Sequence, residues 1–130
     1  METRTPKIPD MHHPITIEPA GHRIVVRAGD RVVADTTAAL TLREAGYAPV
    51  HYIPVNDVNH TLLRTSATST YCPYKGDASY YSVDGPDGEI EDASWRYEHA
   101  YPSVAAIAGH LAFYADRVEI TEIEADQGDD

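Results

Sequence analysis

The sequence predicts a single, mainly β (α+β) domain of antiparallel sheets and hairpins with one or two short helices. Three observations carry that prediction. β-Branched runs such as R-I-V-V-R and R-V-V-A-D recur along the chain, tight-turn signals such as A-G-D and D-G-P-D-G separate them, and 130 residues at 42% hydrophobic can build one core. A chain of this length buries roughly two-thirds of its unfolded surface, so it needs neither disulfides nor metal as staples. No repeat and no linker divides it.

Residues 1–20 read as an extended N-terminal arm, because Pro6, Pro9, Pro14 and Pro19 prevent a regular helix. The β-rich domain then spans 21–123 and an acidic, disordered tail 124–130. From Arg23, two β-branched runs flank Ala28-Gly29-Asp30 as a short-looped hairpin. The run T-T-A-A-L-T-L-R-E-A-G-Y predicts a short helix over 38–45, capped by threonine and closed at Gly46, although Leu40 and Leu42 also alternate as in a strand. V-H-Y-I is a strand ended by Pro54, and a loop runs from there to about Thr65. Residues 77–97 form a second hairpin around D-G-P-D-G, with Ala93, Trp95 and Tyr97 on one face. Val104, Ile107, Leu111 and Tyr114 recur at helical spacing after a Ser103 cap, and V-E-I-T-E-I closes the domain as a strand.

A net charge of −11 argues against nucleic acid, since neutralising a phosphate backbone needs a clustered basic face and the ten basic residues are scattered from Arg4 to Arg117. No apolar run approaches the roughly 20 residues a membrane helix needs, and the polar, proline-rich start does not resemble a signal peptide. One cysteine cannot make an internal bridge, which suits a reducing cytoplasm. In the arm, H-P-I-T-I-E-P places Ile15 and Ile17 on one side like an edge strand, so a homodimer is expected in which residues 11–18 lie along the other subunit.

The chemistry concentrates in S-T-Y-C-P-Y-K-G-D-A-S-Y-Y, residues 69–81. Pro73 suits the second position of a type I or II turn starting at Cys72, bringing Cys72 and Lys75 close, with Gly76 taking the positive φ after it. A nearby cation could lower the pKa of the Cys72 thiol; the same features suit a plain turn around a small buried cysteine. Eight of the ten basic residues are arginine, yet position 75 keeps an amine, which can lose its proton when desolvated or act as a compact point charge. Tyr52, Tyr80, Trp95 and Tyr97 lie on neighbouring strands and could wall a cleft with Lys75, while alternation sends Tyr80 and Tyr81 to opposite faces. Glu44 and Asp57 are the carboxylates nearest this context, each able to pair with Lys75 or serve as a general base. There is no P-loop, no dinucleotide fingerprint and no serine elbow.

Taken in order, H-P-I-T-I-E-P, V-A-D-T-T-A-A-L, Y-I-P followed by D-V, C-P-Y-K-G with A-S-Y-Y-S-V, W-R-Y and L-A-F-Y resemble the bacterial domain-of-unknown-function family 427 over residues 13–123. The resemblance implies a small β-rich fold similar to the β-tent (Mss-four-like) proteins. The nucleotidyltransferase label sometimes attached to the family implies a nucleotide substrate. Several relatives of that fold hold zinc through two C-x-x-C pairs, which a chain with one cysteine cannot make, and its histidines show no metal spacing. No metal and no cofactor are expected.

Two functions of different class are open. One is a small-molecule binding domain, in which Tyr52, Lys75, Tyr80, Trp95 and Tyr97 recognise a polar cyclic or nucleotide-like ligand, weakly anionic or carbonyl-bearing. The other is an enzyme using Lys75 or Cys72, with Asp57 or Glu44 handling protons. On the first, Lys75→Met should abolish binding while changing stability by no more than about 1 kcal/mol, the range of an exposed functional residue.

Overall fold

The computed structural model describes residues 5–124. In chain order its strands are β1 (Ile15–Pro19), β2 (Arg23–Ala28), β3 (Arg31–Thr36), β4 (Leu40–Glu44) and β5 (Val50–Pro54), then β6 (Leu63–Cys72), β7 (Gly76–Gly85), β8 (Gly88–Arg96), β9 (His110–Phe113) and β10 (Glu119–Ile123). Short 3₁₀ turns lie at Val55–Asp57, His60–Leu62 and Pro102–Ile107. The strands make a seven-stranded sheet, ordered β1-β4-β5-β9-β8-β7-β6, and a three-stranded sheet, β10-β2-β3. All pairings between these strands are antiparallel. The mainly β expectation therefore describes the molecule, as do both hairpins: β2 and β3 turn at Gly29-Asp30, and β7 and β8 turn between Gly85 and Gly88. Among the described residues no helix is long and apolar enough to cross a membrane.

Side-chain alternation gives the large sheet two apolar faces. On one face Ile53, Val83, Leu111 and Phe113 meet Ile24, Val26 and Val33 of the small sheet. On the other, Tyr52, Ala78, Tyr97 and Ala112 pack with Val104 and Ile107 of the last 3₁₀ turn. Tyr81 joins the first face and Tyr80 the second, which settles the alternation the sequence leaves open. Ala93 does not share a face with Trp95 and Tyr97: it packs between the sheets. The reason is a register shift between Tyr81 and Val83, opposite which Asp92 takes a positive φ of 49° and breaks the alternation.

Of the two expected helices, the first is overturned and the second is shortened. Residues 40–44 are strand β4, held by β1 on one side (Ile17↔Leu42) and β5 on the other (Leu40↔Tyr52). A helix of so few residues is marginal by itself, whereas β1 pairs along all of 40–44 and β5 adds a second partner for 40–42. The threonine signal is real but closes a turn, with Thr36 Oγ1 accepting from the Ala38 N–H at 2.9 Å. In 103–114, helical geometry covers only Pro102–Ile107 and is interrupted at Val104, where φ is −127°. Tyr101, not Ser103, occupies the cap position, and Leu111 belongs to β9. Val104, Ile107 and Leu111 are all fully buried, so core burial in two different elements imitates helical spacing. The loop expected up to about Thr65 gives way earlier, at Leu63, to edge strand β6.

The arm segment 15–19 is strand β1, paired with β4 of the same chain, and its Ile15 and Ile17 pack against this chain's own core. The acidic tail expected over 124–130 lies outside the described residues, apart from exposed Glu124.

Two features of this architecture position the site. β5 pairs with β9 through only Ile53↔Leu111 and Pro54↔His110, so the large sheet parts beyond that point, with Val50 and Tyr52 on one bank and Ala112 to Tyr114 on the other. The tips of the two hairpins also meet. A Cβ built on Gly29 would lie 2.5 Å from Pro86 Cγ, and Gly29 has φ +63°. Gly29→Ala therefore combines left-handed strain with a clash against a rigid ring, and should lower stability by about 2–3 kcal/mol. The urea midpoint should fall with an unchanged m-value; an unaltered midpoint would show that the tips do not press together.

Candidate functional site

Where the large sheet parts, a cavity of about 430 Å³ opens on the face away from the small sheet. Each wall is placed by a strand or turn already described. β4 contributes Leu42 and Glu44, β5 contributes Tyr52, and β7 and β8 contribute Tyr80 and Trp95. Tyr97 comes just after β8, and the β6–β7 turn supplies Cys72 and Lys75.

That turn is built as its sequence suggests. The Lys75 N–H donates to the Cys72 carbonyl at 3.2 Å, and Gly76 takes φ +113°. A side chain at Gly76 would also press on the His99 carbonyl at 3.3 Å. The Lys75 carbonyl accepts from the Tyr101 N–H at 3.0 Å, which fixes the turn from its far side. Lys75 is consequently not a solvated turn tip: it is only 8% exposed. Its ammonium donates to Glu44 Oε1 and lies 6.0 Å above the Tyr97 ring.

Glu44 is shared. Its other oxygen sits 2.7 Å from His13 Nε2, which must carry the ring proton that faces it. His13 stacks flat on Tyr74, centroid to centroid 3.9 Å, so the arm is pinned onto the β6–β7 turn. The Lys7 N–H adds a bond to the Pro73 carbonyl at 2.9 Å. Desolvation is the largest influence on Glu44 and pushes its pKa up, but the hydrogen bonds and charges of Lys75 and His13 together outweigh it and hold the carboxyl below its ordinary value.

The aromatic wall is neutral and polar-tipped. Burial pushes the Tyr52 and Tyr97 hydroxyls far up, so both remain protonated and can donate. Trp95 stands edge-on to Tyr52, with centroids 6.3 Å apart and a long contact of 3.4 Å from its N–H to the Tyr52 hydroxyl. It also leans on Tyr114 at 4.3 Å. The Tyr80 hydroxyl meets Thr70 Oγ1 at 2.9 Å.

Of the residues singled out from sequence, Tyr52, Lys75, Tyr80, Trp95, Tyr97, Cys72 and Glu44 all line this one cavity. Asp57 does not. It sits in the 3₁₀ turn after β5, where it accepts from the Thr36 hydroxyl at 2.7 Å and borders a different hollow beside Val33 and Val58. Sequence reasoning missed Tyr114, which the L-A-F-Y run contained, and His13, which no local pattern could connect to Glu44 thirty-one residues away. Among the described residues, no three His, Cys, Asp or Glu side chains are grouped to hold a metal ion.

A family profile described as "Domain of unknown function (DUF427)" matches residues 16–124. No curated protein matches the chain.

The ion pair changes what Lys75→Met should do. Removing the ammonium leaves a largely buried carboxylate with His13 alone, so the loss should be about 1–3 kcal/mol rather than the smaller change of an exposed lysine. Adding Glu44→Gln should recover part of it, a non-additivity readable by urea denaturation of the four variants; simple additivity would mean the pair is energetically inert. A carboxyl held low when folded stabilises fully above its unfolded value near 4.5 and loses that contribution as pH falls through the lower folded value. The stability gap between the wild type and Glu44→Gln should accordingly narrow below pH 4.5; a gap constant with pH would remove Glu44 from the linkage.

Proposed function

The chain belongs to the family described as domain of unknown function 427, whose description names no activity, and from its geometry we propose that it binds a small, flat heterocycle in the Lys75–Glu44 cavity. The observation that carries this reading is a donor and an acceptor fixed side by side, the Lys75 ammonium and the Glu44 carboxylate, among aromatic rings. An ammonium already matched by a carboxylate has little need of an anionic ligand. Its remaining N–H groups suit a carbonyl oxygen, and the carboxylate suits a ring N–H beside it. That adjacent C=O and N–H edge is the edge of a lactam or a nucleobase, and flat aromatic walls favour such a ring over a flexible chain. A polyphosphate fits poorly, because no other described residue lining the cavity is cationic and its charges would go unmet. Kinship with the β-tent proteins and a cytoplasmic setting, which suits the unpaired Cys72 thiol, are parts of the same reading.

A specific feature favours the second reading, an enzyme. Cys72 lines the same cavity as the Lys75–Glu44 pair, so a nucleophile and a proton-accepting carboxylate border one space. Titration with a thiol reagent across pH separates the two, since a Cys72 with ordinary thiol reactivity would retire its catalytic role.

The binding reading is tested with uracil, its nucleoside monophosphate and its triphosphate, monitored by the fluorescence of Trp95, the single tryptophan. Uracil should quench it, and added phosphates should bring no gain in affinity. Lys75→Met and Glu44→Gln should each weaken uracil binding about tenfold or more, as expected when a desolvated hydrogen-bonding partner is lost. Affinity that climbs with each phosphate, or fluorescence that ignores all three compounds, would sink the reading.

A further inference from the structure

The parting of the large sheet opens a second cavity, of about 550 Å³, on the opposite face. Its chemistry is different. Ile24 and Val26 of β2, Ile120 of β10, Ile53 of β5 and Phe113 of β9 make its walls apolar. Its polar rim is already engaged: Glu122 is held by His22 Nε2 at 2.8 Å and His51 Nε2 at 3.1 Å. His51 in turn meets Thr41 Oγ1 at 2.9 Å, and His22 Nδ1 faces the Ala20 carbonyl at 3.0 Å. These contacts tie the small sheet to the large one and leave the interior of the cavity to hydrocarbon.

The two cavities are neighbours through the gap in the sheet. Tyr47, Ala48, Val50, Trp95 and Tyr114 line both. The gap exists because β5 and β9 stop pairing after two residue pairs, and its floor is the Trp95 ring, which faces Tyr52 on one side and Tyr114 on the other. Each cavity lies within the ~300–1,000 Å³ typical of small-molecule sites. A ring seated against Lys75 and Glu44 therefore has, next to its outer edge, an apolar chamber reached without crossing any charged group of the inner cavity's wall.

We propose that the ligand is a two-part molecule, a flat lactam-type ring held by Lys75 and Glu44 that carries an apolar substituent of several carbons, and that the second cavity receives this substituent. The proposal rests on the heterocycle reading above and adds the substrate class. A free nucleobase would leave the larger cavity empty. A ring bearing a sugar phosphate would place charge among Ile24, Ile53 and Phe113.

Two probes with the same ring edge test it on the full chain: 1-methyluracil and 1-hexyluracil, titrated by isothermal calorimetry with Trp95 fluorescence as a second readout. The hexyl compound should bind about tenfold or more tighter, a conservative share of what burying its extra methylenes can contribute. Ala115→Phe, which adds a ring at an exposed position lining the second cavity, should erase the difference between the probes. Ile120→Phe is a second filler from the opposite wall, for use if the first does not fold. Lys75→Met should weaken both probes alike. Equal affinities of the two probes, with 1-methyluracil bound, would overturn the two-part ligand and leave the heterocycle reading standing. A hexyl gain that survives both fillers would also overturn it, because the chain would then lie elsewhere. Hexyl binding that the fillers block but Lys75→Met does not touch, with 1-methyluracil unbound, would overturn both readings, as would failure of both probes to bind, whereas a hexyl compound weaker than 1-methyluracil would overturn the two-part ligand alone.

Discussion

The rest of the structure depends on how briefly β5 and β9 meet. Two residue pairs, Ile53↔Leu111 and Pro54↔His110, join the β1-β4-β5 half of the large sheet to the β9-β8-β7-β6 half. Beyond Pro54, one more backbone bond joins the two segments, from the Val55 N–H to the Gly109 carbonyl at 3.0 Å, before the chain turns into the 3₁₀ turn Val55–Asp57. In the other direction pairing stops after Ile53, and the rings of Tyr52, Trp95 and Tyr114 cluster beside the gap. An antiparallel pair that continued would hold its strands ~4.8 Å apart and close any cleft. Because it does not continue, both cavities exist, and they are adjacent.

The Lys75–Glu44 pair is the second constraint, and it is as much about position as about stability. Burying two charges costs desolvation that their attraction repays only when further hydrogen bonds satisfy what remains. Here His13 meets the second carboxylate oxygen, and the turn carrying Lys75 is tied to Cys72 and Tyr101 through its own backbone. Well-packed apolar replacement of a buried ion pair is often neutral or stabilising in proteins, so stability alone does not call for charge at this place. The arm helps hold the pair: β1 covers the edge of β4, and His13 stacked on Tyr74 clamps the segment that presents Lys75. The inner cavity is therefore assembled from residues 42–52, 72–80, 95–97 and Tyr114, with the arm bracing it from outside.

The extent to which this was legible from sequence varies by residue, for physical reasons. The hairpins were readable because A-G-D and D-G-P-D-G encode turns locally, and glycine at positive φ is chemistry that a single position reveals. The Cys72–Gly76 turn was readable for the same reason. Residues 38–45 were not, since threonine, alanine and leucine tolerate either state and the decision came from β1 and β5, which lie on either side in space. Glu44 and Asp57 looked equivalent as carboxylates near the motif. The fold separates them, directing Glu44 to Lys75 and Asp57 to Thr36.

Local chemistry along the chain was enough to specify a mainly β protein, the places where it turns, an amine presented on a tight turn, and a stock of aromatic residues on adjacent strands. Only the assembled core could specify which strands part and which stay paired, that His13 reaches Glu44, that Tyr80 rather than Tyr81 faces the inner cavity, and that Trp95 stands between two cavities. Turn geometry and side-chain alternation are set within a few residues. Sheet order, register shifts such as the one opposite Asp92, and ion pairs between distant segments are set by the packing of the whole core, where many weak local preferences are overruled together.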